Sequence, residues 1–437
     1  MRIAVIGSGV SGLGAAYVLK DACDVVLYEK EARLGGHART VTIDYDGAAV
    51  DVDTGFIVYN ERNYPNLVGL FAALGVESLE TDMSFAFAGR GVEWSSNFPT
   101  GVFAQKRNLA SPKFLKMLAD IARFNRSAQA DLAAGKLENL TVGGYLHKLG
   151  LSEEFRDNYL LPMGAAIWST TDSGVAEAPA ASFIGFFANH NLLQMAQPRW
   201  RTVRGGSRAY VDRIAALLGP RVRTAAGVAH IRRGPAGVVV TDSQGHIDRF
   251  DQVILACHSD QALRMLSDAD AEERAFLGAV RYGPNLAYLH RDTRLMPGRR
   301  AAWGSWNALS GADGGCLTYW MNSLQAIDRK MPLFVSLNPE TPPDPALTFE
   351  VFDCEHPQFD TTALAAQRRI GRIQGRGGIW YAGAWLGHGF HEDGLTAGLR
   401  AAMVLGGSTP WDFVDHRIPG GPLVAPGLAS SDRRAAA

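Results

Sequence analysis

The residues with the most chemical content are Gly7, Gly9 and Gly12, followed by Glu29. They punctuate the stretch IAVIGSGVSGLGAAYVLKDACDVVLYEK, in which the apolar run Ile3 to Ile6 precedes the glycines and the run Val25 to Tyr28 precedes the acid. In a strand–helix–strand unit, the first glycine permits a tight turn, the second lets backbone approach a pyrophosphate, and the third lets helix and strand pack closely. The helix end then offers unpaired N–H groups and the positive end of its dipole to the phosphates, and Ser11 is counted with these contacts. An acid roughly 20 residues further on is placed to accept the hydroxyls of an adenosine ribose. The motif predicts binding of an ADP moiety.

A second polar cluster lies near the far end, in HGFHEDG: His388, His391, Glu392 and Asp393. A neutral histidine titrates near working pH and can move a proton, so His391, with Glu392, is a candidate for acid–base work. A structural hydrogen bond is the commoner role for a histidine, and Asp393 is expected to cap the helix that follows. Tyr319 and Trp320 either face a cofactor or fill a core. The four cysteines show no metal or redox spacing and read as small buried hydrophobes. No metal is expected.

These residues need elements to hold them, and the chain is long enough, at 437 residues, for two or three domains. The net charge of −1 gives no electrostatic case for nucleic acid. No leader-type segment precedes the glycine motif and no apolar run spans a bilayer, so a cytoplasmic protein is expected. After the opening unit, VTIDYDGAAVDVDTGFIVY reads as a hairpin turning at Asp46-Gly47. Helices are expected over Tyr64 to Leu74 (with Gly75 as C-cap), Pro112 to Ala134, Val142 to Leu149 and Glu153 to Leu161. A glycine turn at VRGGSRAY opens another helix, and strands follow from Val222. A last strand, Ile379 to Ala382, leads to a helix at Gly394 to Leu405. The pattern predicts an α/β fold: a discontinuous Rossmann-like domain (1–90, 200–265 and 375–410) interrupted by a mixed α+β substrate domain (91–199 and 266–374). Residues 411–437 are expected to form a flexible tail.

Two features favour a flavin over a nicotinamide dinucleotide. Arg33-Leu34-Gly35-Gly36 supplies a second close-approach turn with a cation beside it. The helix start near Gly394 suits a flavin carbonyl that gains negative charge on reduction. With the RLGG extension, the central GG turn and the AGAW…HEDGLTAGL segment, the chain resembles the flavin amine oxidase superfamily over nearly its whole length to about residue 405. The resemblance implies FAD contacts at Gly7, Gly9, Gly12, Glu29, Arg33, Gly35 and Gly36. It places Thr54, Gly55 and Phe56 on a strand beside the isoalloxazine and Val228 at the adenine. Gly383, Ala384 and the backbone N–H of Leu395 fall at the flavin. His37 stands where relatives often carry Arg, and Ala384 where an acid is common.

The chain further resembles a bacterial subgroup with a similar GFHEDG end and the YWMN stretch at Tyr319 to Asn322, some of whose members act on fatty acyl chains. The implied activity is FAD-dependent desaturation of an unsaturated or methyl-branched fatty acyl or phospholipid chain. A double-bond isomerase, an amine oxidase and, more remotely, a non-catalytic FAD-binding protein are the alternatives. The window holding Phe155, Tyr159, Met163, Ile167, Trp168, Phe183, Phe186 and Phe187 supplies either a core or an elongated apolar pocket. Residues 103–125 mix Lys106, Arg107, Lys113, Lys116 and Arg123 with Phe114, Leu115, Leu118, Ile121 and Phe124. That is the pattern of a helix lying peripherally on anionic lipid and equally of an ordinary surface helix. Oligomeric state has no signal in the sequence.

Overall fold

The computed structural model describes residues 1–168, 170–190, 192, 193, 199–311 and 316–415. The apolar run Arg2–Ile6 is a strand at the middle of a five-stranded sheet. The sheet order is Val222–Arg223, Asp24–Tyr28, Arg2–Ile6, Gln252–Leu255 and Ile379–Tyr381, with every neighbouring pair parallel. Such a sheet is covered on both faces, which explains why its strands read as continuous apolar runs rather than alternating ones.

The helix Val10–Leu19 is buried along its whole length because two layers enclose it, the sheet and the helix His391–Val404. The two helices touch through small residues. A Cβ on Gly398 would lie 2.0 Å from the Ser11 carbonyl oxygen, and one on Gly14 would lie 2.4 Å from Leu395 Cδ1. The N-terminal motif and a segment almost the whole chain away are thus pressed into one layer.

A second, seven-stranded sheet runs in the order Thr348–Gln358, Arg281–His290, Phe334–Leu337, Cys316–Trp320, Trp306–Leu309, Phe85–Gly89 and Val92–Ser95. The helices Pro112–Ala133, Val142–Leu149, Leu161–Trp168 and Ala180–Asn189 pack a separate core against it, built on Phe87, Phe114, Phe124, Phe155 and Phe187. Phe155, Phe183, Phe186 and Phe187 therefore serve as core, while Met163, Ile167 and Trp168 stay half-buried. The hairpin Phe85–Ser95 belongs to this sheet, so a boundary at residue 90 would cut it in two. We place the division ahead of Phe85.

Several expected elements appear. The Asp46-Gly47 turn has φ of 52° and 91° at its two residues, the geometry of a two-residue hairpin loop. Gly75 caps its helix with φ 66°. Others shift. Helix Glu153–Phe155 passes through a π turn at Arg156–Leu160 before resuming at Leu161. The expected tail is anchored where it begins: Trp411 stacks on Tyr17, Val414 N–H donates to Asn66, and Arg400 pairs with Asp415. Residues 416–437 lie outside the described residues. The helix Pro112–Ala133 turns Phe114, Met117 and Phe124 into the core, and Lys113 and Lys116 pair with Glu154 and Asp120. Phe114 and Phe124 are thereby committed to the fold, while Leu115 of the same helix stays 44% exposed.

Candidate active site

The phosphate end is built by glycine geometry. Gly7 has φ 102°, and a Cβ there would sit 2.7 Å from the Ala256 carbonyl oxygen; one on Gly12 would sit 1.8 Å from the oxygen of Gly7. Neither position accepts a side chain. A Cβ on Gly9, by contrast, would meet nothing within 4 Å, because Gly9 faces open space. Gly9 is also the N-cap and supplies no side-chain acceptor, so the first N–H groups of the helix point into that space unpaired. This donor set fits a pyrophosphate.

Ser8 fastens the cradle. Its N–H and hydroxyl donate to Glu29 Oε2 at 3.0 and 2.6 Å, and its Oγ accepts from Gly35 N–H at 3.1 Å. Glu29 Oε1 accepts from Glu31 N–H at 2.9 Å, and the remaining lone pairs are available to ribose hydroxyls. Gly35 and Gly36 (φ 105° and 56°) bring the second glycine turn against the first, such that a Cβ on Gly36 would lie 3.2 Å from Gly9 Cα. Arg33 donates to the Gly36 carbonyl at 3.0 Å. Val228 opens a strand whose lead-in, Ala225 and Ala226, hydrogen-bonds to Glu31 and Glu29, placing it beside the ribose carboxylate.

At the other end of the cradle, Thr54, Gly55 and Phe56 form the turn after the strand Ala48–Asp53 rather than a strand themselves. Phe56 N–H donates to the His37 carbonyl at 2.7 Å, and a Cβ on Gly55 would sit 2.2 Å from that same oxygen. Arg39 donates to Thr54 Oγ1 at 2.9 Å, pairs with Glu350 and lies 4.4 Å over the Phe352 ring. Phe56 stacks on His391 with ring centroids 3.8 Å apart and planes within 9°. His391 Nε2 is 2.8 Å from the hydroxyl of Tyr210, a fully buried residue on the helix opened by the central glycine turn. Asp53, with no exposed surface, holds that turn by accepting from Ser207 N–H and Oγ and from Thr40. Burial pushes the Asp53 carboxyl up to about 6. Gly383 (φ 154°) and Ala384 start the short turn that leads into this end.

The C-terminal helix starts at His391, three residues ahead of the expected Gly394, because Asp393 Oδ2 accepts from Phe390 N–H at 2.9 Å and closes an earlier first turn. Gly394 N–H is already spent on the Phe390 carbonyl, and the Leu395 N–H lies inside the helical ladder. Gly394 and Leu395 act in packing instead: a Cβ on Gly394 would lie 2.9 Å from Val10 Cγ1, and Leu395 is fully buried against Gly14. The open donors belong to the turn from His391 to Asp393.

The three expected catalytic residues each make contacts within the fold. Glu392 is buried and accepts from Asn66 and Leu67 N–H at 2.8 and 2.9 Å, capping the helix Pro65–Leu74. Burial raises its carboxyl to about 7. His391 is held down to about 3, by burial first and by His37 second, too weak a base to take a proton at neutral pH. Tyr319 lies half-buried on the sheet with its ring edge-on to Trp306 at 5.0 Å, and burial raises its phenol, leaving it a neutral wall residue. Residues that the sequence analysis passed over converge nearby. His37, open to the interior space, lies 5.5 Å from the His356 ring and 6.4 Å from the His258 ring, and His258 stacks on Tyr282. Burial keeps His258 near 4 and His356 near 3. Among the described residues no group of His, Cys, Asp and Glu is arranged to hold a metal ion.

The sequence model of the family described as flavin containing amine oxidoreductase matches residues 10–289. The chain belongs to the flavin-containing amine oxidoreductases. Its cofactor is FAD, and the two-ended cradle fits that molecule: ADP on the glycine turns, the flavin against the Phe56–His391 end. AofH of Mycobacterium tuberculosis, which bears the name of a flavin-containing monoamine oxidase, is 27% identical over 263 residues. That match covers 56% of this chain and 54% of AofH, so the chain spans about half the length of the curated relatives it matches. Among solved structures, a putrescine oxidase bound to putrescine superposes with TM-score 0.67 at 16% identity, covering 93% of this chain and 99% of that one. A CLA-producing fatty acid isomerase from P. acnes gives TM-score 0.66 at 15% identity, covering 92% and 97%. Cyclohexylamine oxidase from Brevibacterium oxydans gives 0.62 at 18%, covering 92% and 98%. These likenesses establish the fold.

Proposed function

We propose that this flavoprotein oxidises a fatty acyl chain, converting a C–H pair beside a double bond or methyl branch into C=C. The supporting observation is an apolar wall on the second sheet. Trp306, Tyr319, Phe352 and Cys354 are half-buried around one small core, and Trp306 is shared with the neighbouring core that Met163 and Ile167 of the helix Leu161–Trp168 border. Large apolar side chains left partly open inside a protein mark space for an apolar ligand.

FAD supplies a two-electron acceptor for the hydride when bound. The chain's own residues hold and orient the substrate, exclude water and accept the remaining proton. His391, weakly basic and fixed by Tyr210 and Phe56, is a positioning residue. His388, edge-on to Phe186 at 5.9 Å on the loop beside Phe390, is the proton acceptor we assign to the reaction. The electrons leave to an external acceptor, dioxygen or a quinone. Return of hydride and proton to other carbons of the chain would give double-bond isomerisation from the same first step.

Amine oxidation is the second reading, favoured by the AofH likeness and by Glu350, whose buried Oε2 lacks a hydrogen-bond partner and suits an ammonium. Against it, Arg39 already neutralises that carboxylate. Peripheral contact with an anionic membrane would suit a lipid substrate without requiring one, and its surface is argued below. Mass spectrometry of cellular lipids with and without the protein tests the substrate class. A new or depleted unsaturated acyl species is expected, and an unchanged lipid profile with altered amines would favour the second reading.

A further inference from the structure

Away from the cradle, a groove of about 640 Å³ opens between the tip of the hairpin Phe85–Ser95, the turn Lys106–Ala110 and the loop carrying Arg299. Its charged lining is Glu93, Lys106, Arg107 and Arg299. Glu93 accepts from Arg299 N–H at 3.0 Å and lies 3.3 Å from its guanidinium, so those two charges offset each other. Lys106 and Arg107 have no carboxylate partner among the described residues, and Arg107 instead donates to the Gly91 carbonyl. Two uncompensated cations therefore border an open groove.

On the same segment, apolar side chains stand clear of the surface. Phe98 is 79% exposed and Leu109 56% exposed. Neither is loosely hung. Phe98 packs on Phe103 (6.5 Å between rings), which packs on the buried Phe114, and Leu109 follows the buried Asn108, whose amide reaches toward the Glu93 carbonyl. Single exposed apolar residues are ordinary, but two on the same short segment as two cations without carboxylate partners match the interface of an anionic bilayer, where cations meet phosphate and rings enter the headgroup layer. A soluble phosphate ligand would leave the exposed Phe98 and Leu109 without a purpose.

We propose that this face docks on an anionic phospholipid membrane, with a lipid phosphate seated between Lys106 and Arg107 and with Phe98 and Leu109 entering the interfacial layer. The inference is independent of the substrate reading, since an amine-oxidising chain could dock in the same way.

Vesicle flotation of the FAD-loaded protein tests it, using phosphatidylcholine vesicles with and without phosphatidylglycerol. Binding is expected only with phosphatidylglycerol and is expected to weaken with salt. The double variant Lys106→Glu/Arg107→Glu should lose about tenfold or more in partitioning, by the contribution of two cations near an anionic surface. Phe98→Ser/Leu109→Ser should weaken binding without abolishing its salt dependence. Arg329→Glu/Lys330→Glu, the same change of charge at another exposed site, should bind like the parent. All variants are compared at equal flavin content, so a misfolded variant is recognised. Binding to neutral vesicles alone, no binding at low salt, or full binding by the Lys106/Arg107 variant would overturn the proposal. Displacement by millimolar inorganic phosphate would reassign the groove to a soluble phosphate. None of these outcomes bears on flavin reduction.

Discussion

At the residue scale, the consequential contacts are those that fix protonation. Glu392 is raised from 4.5 to about 7, so the folded state holds its proton more tightly than the unfolded chain does. Its contribution is fully present below about 4.5 and is lost as pH rises through 7. His391 has the opposite sign. Its folded value is depressed to about 3, so its contribution is full above about 6.5 and is lost as pH falls. Thermal melts across that range should show Glu392→Gln removing a loss of stability on the alkaline side and His391→Gln removing one on the acid side; identical pH profiles in both variants would refute the assignment. Glu392→Ala leaves two buried N–H donors of the helix Pro65–Leu74 unpaired and should cost about 3 kcal/mol in chemical denaturation. For His388→Gln, turnover should fall at least tenfold while FAD affinity stays unchanged. His391→Gln should instead shift the flavin absorption spectrum. A spectral change in both, or in neither, would remove the distinction between proton acceptor and positioning residue.

Among the elements, the paired helices Val10–Leu19 and His391–Val404 decide whether the cradle closes. Gly398→Ala puts a methyl group into the Ser11 backbone, where no side chain can move aside, and should cost about 2–3 kcal/mol together with FAD retention. Gly9→Ala meets no protein atom, so it should leave apo stability within about 0.5 kcal/mol while weakening FAD binding at least tenfold, read by fluorescence of released flavin. Equal stability losses in the two variants would contradict the division between packing glycine and ligand-facing glycine. The glycine turn, the helix start and the acid after the second strand were legible in the sequence, since each is local and has its own residue signature. The flavin half was harder to read. Placing the last helix start at Gly394 overlooked that Asp393 can reach back to Phe390 with no Ser, Thr or Asp at the cap. That three-residue shift moved the open donors to the turn beginning at His391.

Across the whole molecule, two sheets with separate cores meet around the cradle. The five-stranded sheet carries the glycine cradle, and the seven-stranded sheet brings an apolar wall and the His356 side of the histidine cluster. Such long-range meetings leave little trace in local pattern, which is why Arg39, Tyr210, His258 and His356 went unnoticed in the sequence. Their partners lie from 15 to more than 300 positions away. Glu392 was misread for the same reason, its partners being 325 and 326 residues distant. Among the described residues no helix is long and apolar enough to cross a membrane. The central claim is that the apolar wall presents an acyl chain to the flavin, and anaerobic titration of the oxidised flavoprotein tests it directly. Unsaturated or methyl-branched acyl phospholipid should bleach the flavin absorption stoichiometrically while putrescine leaves it unchanged. Bleaching by the amine with none by the lipid would contradict the account.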